Sequence, residues 1–341
     1  MNDFSLRVSK NIYIKAISHI SNQKPLSEEW FEEPIFYSQK YVRSIEPDYK
    51  EYFSLLESRR MGLILKRALV TAINVTRKSK IMNPDAIITG TGLGCIENTE
   101  KFLTALIKND EEMLTPTHFM QSTHNTISSN IAINFKCHGY NSTYSHCGTS
   151  FDSALYDAFI QFQLGEIHSA LVSGQDELTP DYFKLLKKIP YLKNVKVCGS
   201  EASVSFMLSD EENGENIAKI SDVILLNKPE IKKMLGNLKC NLSEIDAIVV
   251  GNNGDVENDE IYNNFINIFD VHIPVIQYKQ IFGESYSISG LGLYTAAEII
   301  KKQKLPVINN YGGKINKVLK KVLFYNHYQN KNHCLILLEM L

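Results

Sequence analysis

Tyr144-Ser145-His146-Cys147-Gly148-Thr149-Ser150-Phe151-Asp152-Ser153-Ala154-Leu155 is the stretch on which the reading of this chain turns. A short polar segment passes there into an amphipathic helix, because apolar residues recur with helical spacing at Phe151, Ala154, Leu155, Ala158, Phe159 and Phe162. The spacing predicts a helix over Ser150–Leu164. Cys147 then sits at the first turn, where the positive end of the helix macrodipole and nearby free backbone N–H groups favour thiolate over thiol. A cysteine so placed is a candidate nucleophile near neutral pH. The competing reading is a small buried residue, the common fate of a free cysteine.

On either side of this stretch, short apolar runs read as buried strands: Ala86–Gly90, Ala170–Gly174, Ala247–Gly251, Pro274–Tyr278 and Val322–Asn326. Helical patterns lie between them, at Met61–Val75 and Leu291–Lys302. Val322–His327 and His333–Met340 flank the polar segment Tyr328-Gln329-Asn330-Lys331-Asn332, which predicts a hairpin. Strands alternating with helices imply an α/β fold with mostly parallel, helix-covered sheets. No low-complexity linker divides the chain. The acidic turn Ser209-Asp210-Glu211-Glu212-Asn213-Gly214-Glu215-Asn216 is the nearest thing to a boundary, and it separates an α/β unit at 1–210 from one at 211–341. The two units share an order of elements but no direct sequence repeat.

The 341 residues, 44% hydrophobic and 22% charged, suffice for two cores. A net charge of −2 argues against a general nucleic-acid binder. The nine His form no H-x-x-x-H or HExxH pair, and the six Cys (95, 137, 147, 198, 240, 334) form no C-x-x-C. Neither a metal site nor a disulfide framework is expected. Met-Asn-Asp-Phe-Ser-Leu-Arg is not a signal peptide, and no apolar run approaches the ~18–20 residues of a membrane span. A cytoplasmic location is the expectation.

Five segments, in order, give the chain a resemblance to a known family. They are Ile87-Ile88-Thr89-Gly90-Thr91-Gly92-Leu93-Gly94, Cys147-Gly148-Thr149-Ser150, Leu171-Val172-Ser173-Gly174-Gln175-Asp176-Glu177, Gly199-Ser200-Glu201-Ala202-Ser203 and Tyr278-Lys279-Gln280-Ile281-Phe282-Gly283-Glu284. Together they resemble the β-ketoacyl synthase branch of the thiolase-like fold, from about residue 60 to the C-terminus. The resemblance implies two fused βαβ-rich halves in a layered α-β-α-β-α arrangement, Cys147 at the nucleophile position, and no cofactor.

Departures from that family carry as much information. A condensing ketosynthase resembles a Cys-His-His machine in which two imidazoles donate to the thioester oxygen of the malonyl carrier. The first His position, eight residues before Asp259, holds Gly251; the second, after Gly283, holds Glu284; the family's Lys remains as Lys279. An ionised Glu accepts hydrogen bonds and cannot donate to a developing enolate. One such donor is typically worth ~2.7–4 kcal/mol, so ordinary decarboxylative condensation is not expected of these residues. Lys279 and Glu284 read equally as a structural ion pair or as functional groups. The closing Gly-Phe-Gly-Gly loop is replaced by Tyr325-Asn326-His327-Tyr328-Gln329. His327, near the gating Phe position, is a candidate base for Cys147, the alternative being a strand-end histidine. His146 is expected to point away.

The order of features is most similar to ketosynthase-like, chain-length-factor subunits of aryl polyene and dialkylresorcinol or flexirubin-type pigment pathways. A partner of an active ketosynthase is therefore the leading expectation. The alternatives are an acyltransferase or condensing enzyme using Cys147, and a non-catalytic scaffold that binds carrier protein. Acyl carrier protein and a second ketosynthase subunit, or a second copy of this chain, are the implied partners. Basic faces suit an acidic carrier helix: Arg59, Arg60, Lys66 and Arg67 on one helix, and eight Lys with no Asp or Glu over Ile299–Lys331. The competing reading of each is a solvated face. Pro116–Thr126 resembles the dimer-interface loop, with His118, Phe119, Met120 and His124 lining the interface or the acyl tunnel.

Overall fold

Branched and aromatic residues concentrate in short runs that become strands, and the computed structural model describes residues 10–112, 114–308 and 317–341. Among these the strands are β1 (Ile12–Ile20), β2 (Ala86–Gly90), β3 (Tyr140–Tyr144), β4 (Ser169–Asp176), β5 (Ala202–Ser209), β6 (Ala218–Asn227), β7 (Ala247–Val250), β8 (Val275–Gln277), β9 (Lys321–Tyr328) and β10 (Asn332–Glu339). Helices in the first half are α1 (Leu55–Arg60), α2 (Leu63–Ser79), α3 (Ile96–Lys108), α4 (Pro116–Ser122), α5 (Thr126–Phe135), α6 (Ser150–Leu164), α7 (Pro180–Leu186) and α8 (Pro190–Lys193). Those that follow are α9 (Ile231–Gly236), α10 (Val256–Ile266), α11 (Lys279–Phe282) and α12 (Ser289–Lys302).

The strands lie in the order β3-β2-β4-β5-β1-β6-β10-β9-β7-β8. The two halves repeat their pairings: β2 runs parallel to β3 and β4, while β5 is antiparallel to β4 and β1. In the second half β7 runs parallel to β8 and β9, while β10 is antiparallel to β9 and β6. The halves join where Ile12–Ile14 pair with Ile220–Ala218. Topology thus holds the repeat that the sequence hides. The expectation of mostly parallel sheets is corrected, since each half is mixed. At β9–β10 the physical reason is plain: a tight turn leaves no length for the crossover a parallel pair needs.

α6 and α12 lie between the two halves, and their apolar residues join those of the facing strands in one core. α12 is buried from Ser289 through Ile300, as a helix covered by sheet on both sides must be. α2 and α5 cover the outer face of the first half. α9 and α10 cover that of the second. The result is the expected α-β-α-β-α layering. The close approach of β2 to the start of α6 depends on Gly90, where a Cβ would stand 2.4 Å from the backbone of Ser150 and Phe151. The expected interface loop contains a short helix instead, α4, with Pro116 at its first turn. No described helix is long and apolar enough to cross a membrane.

Candidate active site

Cys147 opens a single 3-10 turn, Cys147–Thr149, that runs straight into α6. The thiol-bearing residue is exposed. Its backbone adopts φ +50°, a left-handed conformation that L-residues avoid unless the surroundings hold it. Ser150 supplies that hold: its Oγ donates to the Cys147 carbonyl (2.7 Å) and accepts from the His146 N–H (2.9 Å). His146 turns away as expected, its Nδ1 against Ser153 Oγ at 2.9 Å.

The two imidazole positions are filled by something else. A Cβ on Gly251 would stand 2.6 Å from the Tyr262 hydroxyl and 3.0 Å from Lys279 Cε. Tyr262, on α10 and fully buried, therefore occupies the space a histidine there would need. Asp259 still shapes the loop, accepting from the N–H groups of Asn253 (2.8 Å) and Gly254 (3.0 Å). Glu284 is buried and accepts from Lys279 Nζ at 2.9 Å and Asn253 Nδ2 at 2.7 Å. The Lys279–Glu284 pair is a closed, desolvated ion pair at the site wall.

His327 does not serve Cys147, which corrects the expectation that it is the thiol's base. Along β9 side chains alternate, and Phe324 belongs to the central core while Tyr325 faces the outer one. His327 shares Tyr325's face, 4.3 Å from the Tyr262 ring and 5.7 Å from His333. Its Nε2 meets the Asn258 carbonyl at 3.2 Å. Burial, then the charge of Lys279, pushes its pKa down to about 3, far from the value a general base needs.

Tyr328 is the residue beside Cys147, and the period-two alternation along β9 is the sequence signal that points to it. Its ring lies against Gly148, where a Cβ would stand 2.5 Å from Cδ2. Tyr286 packs edge-on at 6.1 Å. Burial, then the neighbouring Cys147, raises the Tyr328 phenol to about 12, so it stays a neutral donor. Gln329 and Asn330 follow at φ +51° each, so the turn keeps a glycine-like backbone without glycine. Asn326, also on the inner face, donates to the Gly148 carbonyl (3.0 Å) and to Asp152 Oδ2 (2.5 Å). Asp152 is buried and its pKa is raised to about 7, chiefly by desolvation.

A cavity of about 630 Å³ adjoins this cluster, bounded by Gly148, Asn253, Lys279, Glu284, His327 and Tyr328 among others. Its lining is mixed, with Ile261 and Ile288 set among the polar residues, so it can take an apolar chain as well as hydrogen-bonding groups.

The surface residues divide. Arg67 is fully buried, with its guanidinium on Glu46 (2.5 Å) and Glu201 (2.9 Å), so it is removed from the carrier-docking set. Lys66 is half-buried with Nζ over the Tyr49 ring, and Arg59 is exposed at the end of α1. The Arg60 side chain lies outside the described residues. The lysine-rich run is largely neutralised: Lys301 and Lys302 meet Glu28 and Glu298, Lys304 meets Glu32, Lys317 meets Asp246, and Lys321 meets Glu244 and Glu339. Lys314 lies outside the described residues. On α4, Phe119 and Met120 are 56% and 70% exposed. His118 reaches Asn98 at 3.4 Å and His124 lies over Gly94, so both sit at the start of α3.

The family model described as beta-ketoacyl synthase, N-terminal domain, matches residues 30–223. No curated protein matches the chain. Among solved structures, the ishigamide ketosynthase/chain length factor is similar at TM-score 0.80 and 16% identity, covering 98% of this chain and 100% of that one. A beta-ketoacyl synthase from Burkholderia phymatum is similar at 0.78 and 14%, covering 97% and 100%. The ketosynthase ApeO in complex with its chain length factor ApeC, from Xenorhabdus doucetiae, gives 0.68 and 14%, covering 97% and 98%.

Proposed function

The chain belongs to the beta-ketoacyl synthase family, and on that premise we propose that it is a ketosynthase-like subunit of a type II polyketide or fatty-acid-type system, acting as the chain-length-factor-like partner of a competent ketosynthase. One observation carries the reading: neither imidazole position offers a free donor to an enolate, because the Tyr262 hydroxyl at one already donates to Asn326 Oδ1 (3.2 Å) and the Glu284 carboxylate at the other only accepts. Tyr262 fills the space at Gly251, and Lys279 holds Glu284 in an ion pair. We read residues 1–210 and 211–341 as the two units, Cys147, Lys279 and Glu284 as the remnant of the family's site, and the cytoplasm as its location.

A partner subunit is supported by the edge of the sheet. β3 ends the strand order, and Phe119, Met120 and Ile133 lie exposed on α4 and α5, the helices that precede it. Exposed apolar groups beside a strand at the sheet's edge suit a second subunit of this fold. Acyl carrier protein is the second partner in this reading, with Arg59 and Lys66 retained as contacts. The ApeO–ApeC complex is a solved example of a ketosynthase with a chain length factor, and this pairing is the arrangement we assign here.

A specific observation favours a second reading. Cys147 is exposed, held at φ +50°, and faced by the Tyr328 phenol, which suits an acyl-accepting thiol. Intact-mass measurement after incubation with acyl-carrier protein separates the two. An adduct on wild type that is lost in Cys147→Ala supports transfer, and its absence leaves the partner role.

A further inference from the structure

A second site lies outside the Cys147 cluster. Lys40, Lys187, Lys193 and Lys196 converge on a recess of about 350 Å³ whose floor includes Phe183 and Leu192. This cluster differs in kind from the lysine-rich run near the C-terminus, where carboxylates answer the charges one by one. None of these four lysines forms an ion pair among the described residues. Neighbouring Lys184 is the contrast, paired with Asp181 at 2.8 Å.

Lys187 is the centre of the arrangement. Its Nζ donates to the carbonyls of Leu192 (2.7 Å) and Lys193 (3.3 Å), which fixes the ammonium in place. Burial, then the charge of Lys40, pushes its pKa down. Like charges held together over an apolar floor repel one another, and a multiply charged anion in the recess relieves that repulsion. The hollow is too small for a helix and of a size for one phosphate group with part of its ester. Lysines act as compact point charges toward phosphate, and a dianion answers four of them better than a single carboxylate.

The recess is wired to the wall of the Cys147 cavity. Lys196 N–H and Val197 N–H donate to the Asn253 carbonyl (2.9 and 3.2 Å), Glu284 N–H to the Cys198 carbonyl (2.8 Å), and Ser200 N–H to the Glu284 carbonyl (3.0 Å). The geometry points to a phosphate-binding site formed by Lys40, Lys187, Lys193 and Lys196, adjacent to the Cys147 cavity and taking a free phosphate or a phosphate ester. It stands independently of the pairing role.

The test is calorimetric titration of the full chain with pyrophosphate, coenzyme A and phosphate-free pantetheine, at low and high salt. Pyrophosphate and coenzyme A are expected to bind, more weakly as salt rises, and pantetheine is not. Lys40→Glu with Lys193→Glu, both at exposed positions, should weaken pyrophosphate binding by about a hundredfold, roughly tenfold for each charge-assisted hydrogen bond removed. Cys147→Ala should leave it unchanged. Coenzyme A binding tighter than pyrophosphate assigns the site to an ester, and equal binding assigns it to the free anion. Pantetheine binding as well as coenzyme A, or wild-type pyrophosphate affinity in the folded double variant, overturns the proposal.

Discussion

Lys279 and Glu284 show at single-residue scale how this site differs from a condensing one. Both are buried, and each is the other's charge partner at 2.9 Å. Removing one leaves an uncompensated buried charge, so Glu284→Ala should cost ~3–5 kcal/mol. Replacing both, as Lys279→Met with Glu284→Leu, should restore most of that loss. Urea denaturation of the three proteins checks it, and additive losses in the double variant would argue against a closed pair. Gly251 gives a second expectation. Restoring histidine there meets the Tyr262 hydroxyl, so Gly251→His should lose ~1–3 kcal/mol through overpacking. Pairing it with Glu284→His does not help, since Tyr262 still fills the space. Two substitutions therefore do not rebuild the donor set. Thermal melts of Gly251→His with and without Tyr262→Ala decide: the smaller side chain should relieve the clash, at the expense of the Tyr262 bonds to Asn326 and the His327 N–H.

Among the elements, α6 follows directly on the Cys147 turn and carries a buried acid within its own first turn. Asp152 has a folded pKa of about 7 against an ordinary 3.8, raised by desolvation. The unfolded chain therefore gives up this proton first as pH rises. The group's contribution to stability is fully present below about pH 4 and is lost as pH climbs through 7. Asp152→Asn keeps an acceptor for Asn326 and removes the titration. It should match wild type near pH 4 and exceed it by a few kcal/mol at pH 8, on the scale of ~1.4 kcal/mol per pH unit. Equal differences at both pH values in chemical denaturation would contradict this account. At the sheet edge, α4 offers a separate test. Phe119→Asp with Met120→Asp changes two exposed side chains, so melting should be unaffected while co-purification with a ketosynthase partner falls sharply. Unchanged co-purification would remove α4 from the interface.

Over the whole molecule, the parts legible in sequence are those set by local pattern. Helical spacing places α6 at Ser150–Leu164 as observed, and apolar runs place β2, β4, β7 and β9. The duplication is not legible, because it resides in strand order, and many different sequences satisfy one order. At the site, Cys147 can be placed from its helix. Residue type and nearness to the gating Phe position nominate His327 as the base, whereas the period of β9 decides which side chain faces inward. The pairing of Asn326 with Asp152 is hidden because 174 residues separate them, and it forms only once the halves close. The same closure argues the last prediction. Condensation needs nucleophile and enolate donors together, and here the donor positions carry an ion pair and a filled space. Purified chain incubated with malonyl-carrier protein should release carbon dioxide no faster than Cys147→Ala. Adding a ketosynthase with Cys and both His should bring release to the partner's rate, and Cys147→Ala should then change the product's chain length rather than abolish turnover, if the thiol only lines the shared tunnel. Robust release by the chain alone, lost in Cys147→Ala, would instead make it a condensing enzyme with Tyr328 at its nucleophile. The two outcomes are separated by a single radiolabelled-carboxyl assay, because only decarboxylation frees the label.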